Sequence, residues 1–369
     1  MSRLPVSRGL EGARGRVLLW LLAGFFGFAL AQTPDEGYAE GRIVGADHEL
    51  RVAVVRLAGG DVVQAELGAA AGATGLPEFQ AGERVELYYQ RDQGGARRYL
   101  VSDWVRRPSL YWLVGLFLVV AVVVARAKGL RAFISTACSL AIAVGFVVPG
   151  ILAGYSPVLV SLLGVGTILV LAIYFVHGVS WSTTAALVGT FAAVVVTMAI
   201  GLYFVDLARL TGFGSHEAIY INLAAAQVNL KGMILAGLLI GALGALTDIT
   251  IVQASVVREL AHANPRFGMR ALYARAMNVG LDHIGSLVNT LVLAYTGAAL
   301  PLLVLLRLQA TSLPQALNVE PVAVEVVHTL VGSIGLILAV PLTTFIAAFL
   351  FRGDRLPLRP GELEHAHHH

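Results

Sequence analysis

Seven long apolar segments dominate the chain from Ser109 onward and constrain its fold more than any other feature. They lie approximately at 110–126, 132–153, 156–176, 183–205, 232–256, 277–306 and 321–351. A helix needs roughly 20 such residues to cross the hydrocarbon core of a bilayer. Only 13% of all residues are charged, and the mean hydropathy is +0.76, which is unusual for a soluble domain. The sequence therefore predicts a mainly α-helical, polytopic bundle over 109–351, embedded in a lipid bilayer.

The N-terminus has the composition of a secretory signal. An apolar run over 17–30 ends in Ala-Leu-Ala before Gln32, and it follows Arg3, Arg8, Arg14 and Arg16. Because the run is shorter than a spanning helix, it favours a cleavable signal peptide over 1–31. A signal anchor that stays attached is the alternative.

Residues 36–105 show a different pattern, in which short alternating stretches surround pairs of glycines. The stretch "LRVAVVRLAGGDVVQAEL" turns at its Gly-Gly pair, and "ERVELYYQRDQGGARRYLVSDW" repeats the arrangement. Alternating apolar and polar residues predict half-buried strands, and a glycine pair between two such stretches predicts a hairpin. We expect a small all-β barrel or sandwich that lies outside the cytoplasmic membrane, since a signal sequence precedes it.

The basic residues predict the same orientation independently. With the β-domain outside, ten Lys and Arg residues flank the inside ends of the segments, whereas Arg209, Lys231 and Arg307 flank the outside ends. The inside set is Arg126, Lys128, Arg131, Arg258, Arg266, Arg270, Arg275, Arg352, Arg355 and Arg359. The positive-inside rule thus favours a multipass protein of the bacterial inner membrane, with the loop 257–276 and the tail 352–369 in the cytoplasm. The His-rich end of that tail is either native or an added tag.

Charge and motif content argue against several classes of function. The net charge is +3 without a long run of like charges, so nucleic acid is not an expected partner. A single cysteine, Cys138, provides neither an intrachain disulfide nor a cysteine metal cluster. The chain lacks G-x-x-x-x-G-K-[ST], so ATP hydrolysis is not expected. We expect no bound cofactor, leave a metal ligand set unassigned, and leave a homo-oligomer open.

An acid, Asp248, interrupts the apolar segment 232–256. A charged carboxylate inside the bilayer costs about 2.5–3.5 kcal/mol, so this side chain is not expected to face lipid. Gly237, Gly241 and Gly244 recur at helical spacing on the same face. Small residues let a neighbouring helix approach closely. The glycines are therefore predicted to be structural packing positions, and Asp248 is predicted to face a packed partner or a cavity.

The segment 277–306 carries a second acid on a polar stripe. Asn278, Asp282, Ser286 (or its neighbour Gly285), Asn289 and Thr296 recur on one face of the predicted helix. Asp282 is seven residues from a cytoplasmic arginine and the first acid is ten residues from another, so the two acids have similar depths at 1.5 Å per residue. We expect the two acids to face each other across a polar cavity close to the amide at position 289.

The last segment and one loop carry further expectations. Pro341 is expected to kink or interrupt the helix over 321–351. Glu325 and His328 lie at the outer end of that helix, where we expect the glutamate to be solvated. The loop 206–231 is predicted to contain a short re-entrant or interfacial helix over about 217–227, and a helix on the outer surface of the bundle is the alternative.

Three stretches of this region resemble the YibE/F family of bacterial multipass membrane proteins. They are "GALGALTDITIVQASVVREL", "GLDHIGSLVNTLVLAYTGAALPLL" and "EVVHTLVGSIGLILAVPLTT". The resemblance covers about 109–351, and the N-terminal β-domain is similar to that of longer family members. By analogy the resemblance marks Asp248, Asn289, Thr290 and Tyr295 as motif positions and adds Asp282. It implies a multipass fold but little about function, since transport has been suspected for the family mainly from its architecture.

Three functions are compatible with these features. The leading hypothesis is a secondary transporter or permease for a small ion or polar solute, coupled to protons or sodium, in which Asp248 and Asp282 bind the cation or carry the proton. The second is a scaffold whose β-domain recruits a partner. The third is an intramembrane aspartyl hydrolase, which the absence of a Gly-x-Gly-Asp context disfavours. We therefore expect a protein that is not an enzyme.

Overall fold

The computed structural model describes residues 36–67, 78–92 and 95–352 of the chain. The predicted signal segment 1–31 and the tail beyond residue 352 lie outside these ranges. The described residues form two compact units that divide between Leu130 and Arg131.

The first unit contains a closed five-stranded barrel. Its strands are β1 (Glu36–Asp47), β2 (Val52–Leu57), β3 (Val62–Leu67), β4 (Arg84–Arg91) and β5 (Arg97–Trp104). The order around the barrel is β1-β2-β3-β5-β4, and β3 and β5 pair in parallel. The two hairpins predicted from the glycine pairs are β2–β3 and β4–β5. The prediction of a small N-terminal all-β domain is therefore confirmed.

Alternation along the strands fills the barrel interior. Val55, Val85 and Leu87 are fully buried there, as expected when every second residue of a strand faces inward. At one end of the barrel the ring of Trp104 stacks on Phe79 with 4.3 Å between centroids. The backbone N–H of Gln80 and the indole N–H of Trp104 both donate to the carboxylate of Glu83 at 2.9 Å. These two bonds lower the pKa of Glu83, because they stabilise its charged form.

The rest of the described chain is helical. The helices are α1 (Arg107–Ile142), followed by a π-helical turn (Ala143–Val147), α2 (Val148–Leu152), α3 (Pro157–His177), α4 (Trp181–Leu207), α5 (His216–Ala224), α6 (Leu230–Ala263), α7 (Met269–Ala298), α8 (Leu300–Leu308), α9 (Leu313–Leu317) and α10 (Glu320–Leu350).

Five of these helical segments are long and apolar enough to cross a membrane, as judged over the described ranges. They are Arg107–Leu152, Pro157–His177, Trp181–Leu207, Leu230–Ala263 and Glu320–Leu350. Helices α7 and α8 are bent by 58° relative to each other and make a sixth span if they count as one. The polytopic helical class is confirmed at this level.

The sequence predicted seven spans, whereas the structure has six if α7 and α8 count as one. The difference lies in the first long helical segment. The segment Arg107–Leu152 contains both of the first two predicted spans, 110–126 and 132–153. Its 46 residues would extend roughly 69 Å as a straight helix, about twice the 30 Å thickness of the hydrocarbon core. Arg126 has φ 51° and ψ −131° within it, so helical geometry breaks where the two predicted spans meet. Seven spans remain a prediction.

Three helices form the centre of the second unit. Helix α10 packs against α4, α6 and α7, while α3 packs against α6 and α4. The core between them includes Leu169, Leu239, Leu246 and Leu336, all of which are fully buried or nearly so. Helix α10 runs without interruption from Glu320 to Leu350. The alternative that Pro341 interrupts the helix is therefore not seen, because the surrounding packing holds the helix on both sides of it.

The loop between α4 and α6 contains the short helix α5. The hydroxyl of Ser215 accepts from the N–H of Ala218 at 3.2 Å and caps the start of this helix. The sequence predicted a helix over about 217–227 in this loop, and α5 ends three residues earlier, at Ala224.

Candidate functional site

The glycine stripe of α6 forms one wall of the candidate site. Gly237, Gly241, Gly244 and Asp248 all lie on an exposed face of this helix. The first and last are eleven positions apart, or about 16 Å along a helix axis. We call this glycine-lined face the α6 groove, because the glycines have no side chains and groups from other helices reach the α6 backbone there.

His328 of α10 closes the groove at its first glycine. A Cβ built on Gly237 would lie 3.6 Å from Cε1 of the His328 ring. The ring nitrogen Nε2 is 2.9 Å from the carbonyl oxygen of Ile234 in α6. Since a carbonyl only accepts, Nε2 carries the hydrogen in this bond. The imidazole is thus held across the start of the groove.

Tyr295 of α7 reaches the next glycine. A Cβ built on Gly241 would lie 2.3 Å from the Tyr295 hydroxyl oxygen, so only glycine leaves room for this hydroxyl. The ring of Tyr295 lies 5.9 Å from the ring of His328, measured between centroids. The Tyr295 hydroxyl is buried, and no group among the described residues forms a hydrogen bond with it. A buried hydroxyl without a partner is unfavourable by about 1–3 kcal/mol, so this atom is suited to a bound ion, solute or water.

This tyrosine lines a small cavity, and a larger cavity shares part of the same lining. The smaller, of about 210 Å³, is lined by Tyr295, Thr296, Glu325 and Thr329 together with apolar side chains. The larger, of about 590 Å³, is lined by Glu217 and Glu325 together with the loop before α5. Glu325 lines both cavities, so a carboxylate lies at their junction. It is only half-buried, which is compatible with the solvated position expected from sequence.

Glu320 at the start of α10 binds the loop that lines the larger cavity. The carboxylate of Glu320 accepts hydrogen bonds from the Thr211 N–H at 2.7 Å, the Gly212 N–H at 2.6 Å and the Thr211 hydroxyl at 2.7 Å. Gly212 has φ +87°, and a Cβ there would lie 2.6 Å from the backbone of Leu230. The loop is therefore held against the start of α6, and it forms part of the wall of the larger cavity.

Asp248 lies at the other end of the groove. A Cβ on Gly244, which lies between Gly241 and Asp248 along α6, would meet no atom within 4 Å. The groove is therefore open over this stretch. Asp248 interacts electrostatically with His177 at the C-terminal end of α3. The Asp248 carboxylate is therefore near the imidazole of His177 on α3. Asp248 itself is exposed.

The polar stripe of α7 has a different environment. Helix α7 buries Leu272, Ala276, Gly280 and Leu291 against α6 and α10. All the predicted polar site residues on this helix except Tyr295 are exposed; they are Asn278, Asp282, Ser286, Asn289 and Thr290. The structure therefore brings Tyr295 to the α6 groove and leaves the other five on the outer face of α7.

The prediction that Asp248 and Asp282 face each other across one cavity stays a prediction. Both residues are exposed in the single chain. An enclosed site around them would therefore need a further element that covers them. Among the described residues, no group of three or more His, Cys, Asp and Glu side chains could hold a metal ion.

The sequence analysis missed several buried polar residues, and one of them joins three helices. Gln253 is completely buried in α6, where its amide nitrogen donates to the carbonyl of Ala276 at 2.8 Å and to the hydroxyl of Thr344 at 2.7 Å. Its amide oxygen has no hydrogen-bond partner among the described protein groups. In the sequence, Gln253 could have been recognised as a polar residue on the face of α6 opposite the glycine stripe. In the structure, its uncharged amide joins α6 to α7 and α10.

The chain was compared with known families and proteins. The family described as YibE/F-like protein matches residues 113–353. The match covers the helical region and includes every residue of the groove. No curated protein and no solved structure matches the chain.

Proposed function

The chain belongs to the YibE/F-like family, and from this premise we propose that it is a membrane transporter or permease for a small ion or polar solute. The observation that carries the proposal is the α6 groove. Polar groups from α7 and α10 meet at its first two glycines, and an acid lies at its far end. Polar and ionisable side chains in a membrane bundle mark solute pathways, because they are costly to retain there without a function.

The chemistry along the groove favours a cation over an anion. Glu217 and Glu325 line the cavities near its first glycine, while Asp248 lies near its other end. Between these acids, the unpaired hydroxyl of Tyr295 offers an oxygen ligand. The absence of a nucleotide-binding motif supports a secondary mechanism, in which a proton or a sodium ion is coupled to transport or is itself the transported species.

We also propose the orientation. In this proposal, seven helices span the bacterial inner membrane, with the β-barrel outside and the loop 257–276 inside. The break at Arg126 supports a reversal of direction after the first span, and the excess of basic residues supports the inside placement.

We expect reporter fusions to test this orientation directly. A reporter that is active only in the cytoplasm should be active after Arg266 and inactive after Trp104. A reporter active only outside should give the reverse pattern. A cytoplasmic barrel, or an Arg266 position outside, would contradict the topology and the signal-peptide prediction together.

The transport proposal is tested by flux into vesicles that contain the purified full-length chain. We expect at least one small cation to enter these vesicles faster than protein-free vesicles, and the rate to change with a proton or sodium gradient. The panel should include monovalent cations, divalent cations and oxyanions. Flux equal to that of protein-free vesicles for the whole panel would contradict transport and leave the scaffold hypothesis.

A further inference from the structure

The exposed face of α7 has a regular polar pattern. Asn278, Asp282, Gly285 and Asn289 follow one another at intervals of four, three and four residues, and all four are exposed. These three intervals span eleven residues, so the four residues lie on one face of the helix. A face that carries an acid and two amides is poorly suited to contact with lipid.

Within the described part of the chain, this face of α7 is exposed. The residues that α7 buries against α6 and α10, including Leu272, Ala276 and Leu291, lie on the opposite side of the helix. An exposed Asp282 at the level of the hydrocarbon would be unfavourable by about 2.5–3.5 kcal/mol on insertion scales. The two asparagines add hydrogen-bonding groups that lipid cannot satisfy. A covering element must therefore supply hydrogen-bonding side chains.

The first helix of the chain lacks such groups. Residues 113–125 of α1, "LVGLFLVVAVVVA", contain no side chain that donates or accepts a hydrogen bond. The exposed faces of α3 and α4 are also largely apolar, with Leu159, Leu163, Val188 and Val195 among their exposed residues. None of these surfaces matches the hydrogen-bonding groups on α7.

We propose that a second copy of this chain covers this face, with α7 packed against α7 around a two-fold axis. With this axis along the membrane normal, equivalent residues of the two copies lie at the same depth, and those on the seam face their own counterparts. Asparagine donates and accepts, so Asn278 and Asn289 can each pair with their counterparts. Gly285 between them lets the two backbones approach closely. The two Asp282 carboxyls come to the same depth, where a cation bound between them would offset their repulsion.

Cross-linking tests the proposal, because the chain has one cysteine. Full-length protein with Cys138→Ser receives Asn278→Cys or Asn289→Cys and is oxidised in native membranes. We expect both variants to give a product of twice the chain mass. The control is Val195→Cys on α4, which is 45% exposed and should remain at the single-chain mass. The proposal is overturned if both α7 variants stay at single-chain mass or form a product with a different protein.

A second measurement counts subunits after the exposed asparagines of α7 are replaced by leucine, a side chain that lipid can accommodate. Asn278→Leu combined with Asn289→Leu should insert and fold normally, since this face makes no contact within the bundle. Subunit counting by photobleaching in phosphatidylcholine vesicles should then change from two copies to one, while Asp282→Asn should keep two, because asparagine pairs with itself. The matched control, Val188→Leu with Val195→Leu on α4, should also keep two. Two copies in the double leucine variant on α7 would overturn the proposal.

Discussion

Asp248→Asn is expected to abolish coupled flux while leaving insertion and thermal stability close to those of the unchanged protein. Asparagine keeps the size and hydrogen-bonding capacity of the acid but cannot ionise. Asp248 is exposed at the end of the open groove, with His177 as its electrostatic neighbour, so its charge is available to a cation or proton. Flux measured from pH 5 to 9 should depend on pH for the unchanged chain, and no flux should remain in the variant.

The matched control for this substitution is Asp206→Asn. Asp206 is an exposed acid near the end of α4 that forms an ion pair with Lys231, away from the groove. An exposed pair of this kind contributes about 0–1 kcal/mol, so the control should retain flux and its pH profile. If Asp248→Asn also retains both, the acid is structural and the proposed pathway is wrong at that residue.

Gly241→Ala is expected to reduce both stability and flux. The new Cβ would lie 2.3 Å from the Tyr295 hydroxyl oxygen and 3.4 Å from the ring carbon that bears it. Overpacking of this kind typically costs about 1–3 kcal/mol, because a side chain or a helix must shift. Thermal unfolding of the purified protein should show the loss, and displacement of Tyr295 should lower flux at the same time.

Tyr295→Phe separates the steric effect from the chemical one. It removes the oxygen that collides with the new Cβ, so the double variant Gly241→Ala with Tyr295→Phe should recover most of the lost stability. By itself Tyr295→Phe should fold at least as well as the unchanged chain, since the hydroxyl is buried without a partner. Its flux should nevertheless fall if that hydroxyl binds the solute.

Gly244→Ala is the control for the glycine stripe, because a Cβ at this position meets no atom within 4 Å. We expect its stability to match or slightly exceed that of the unchanged chain, given the higher helix propensity of alanine. If Gly241→Ala is as mild as Gly244→Ala, then Tyr295 does not occupy the groove.

The sequence alone determined the elements of this protein. Period-two alternation with glycine turns predicted the small β-domain, and the long apolar segments predicted the membrane helices, because both patterns depend on neighbours a few residues apart. The same local periodicity placed Gly237, Gly241, Gly244 and Asp248 on one face of α6, and it placed Asn278 to Asn289 on one face of α7. Family resemblance pointed to Tyr295 but not to its partner.

Only the tertiary structure decided which faces meet. The Tyr295 hydroxyl reaches Gly241 from 54 positions away in sequence, and His328 reaches the carbonyl of Ile234 from 94. Such contacts depend on how packed helices are rotated and how far apart they lie. The periodicity of the sequence determines neither of these. For the same reason the sequence could not decide that the polar stripe of α7 faces away from the bundle: the larger apolar surface of that helix packs against α6 and α10, and the polar stripe on its opposite side is left exposed.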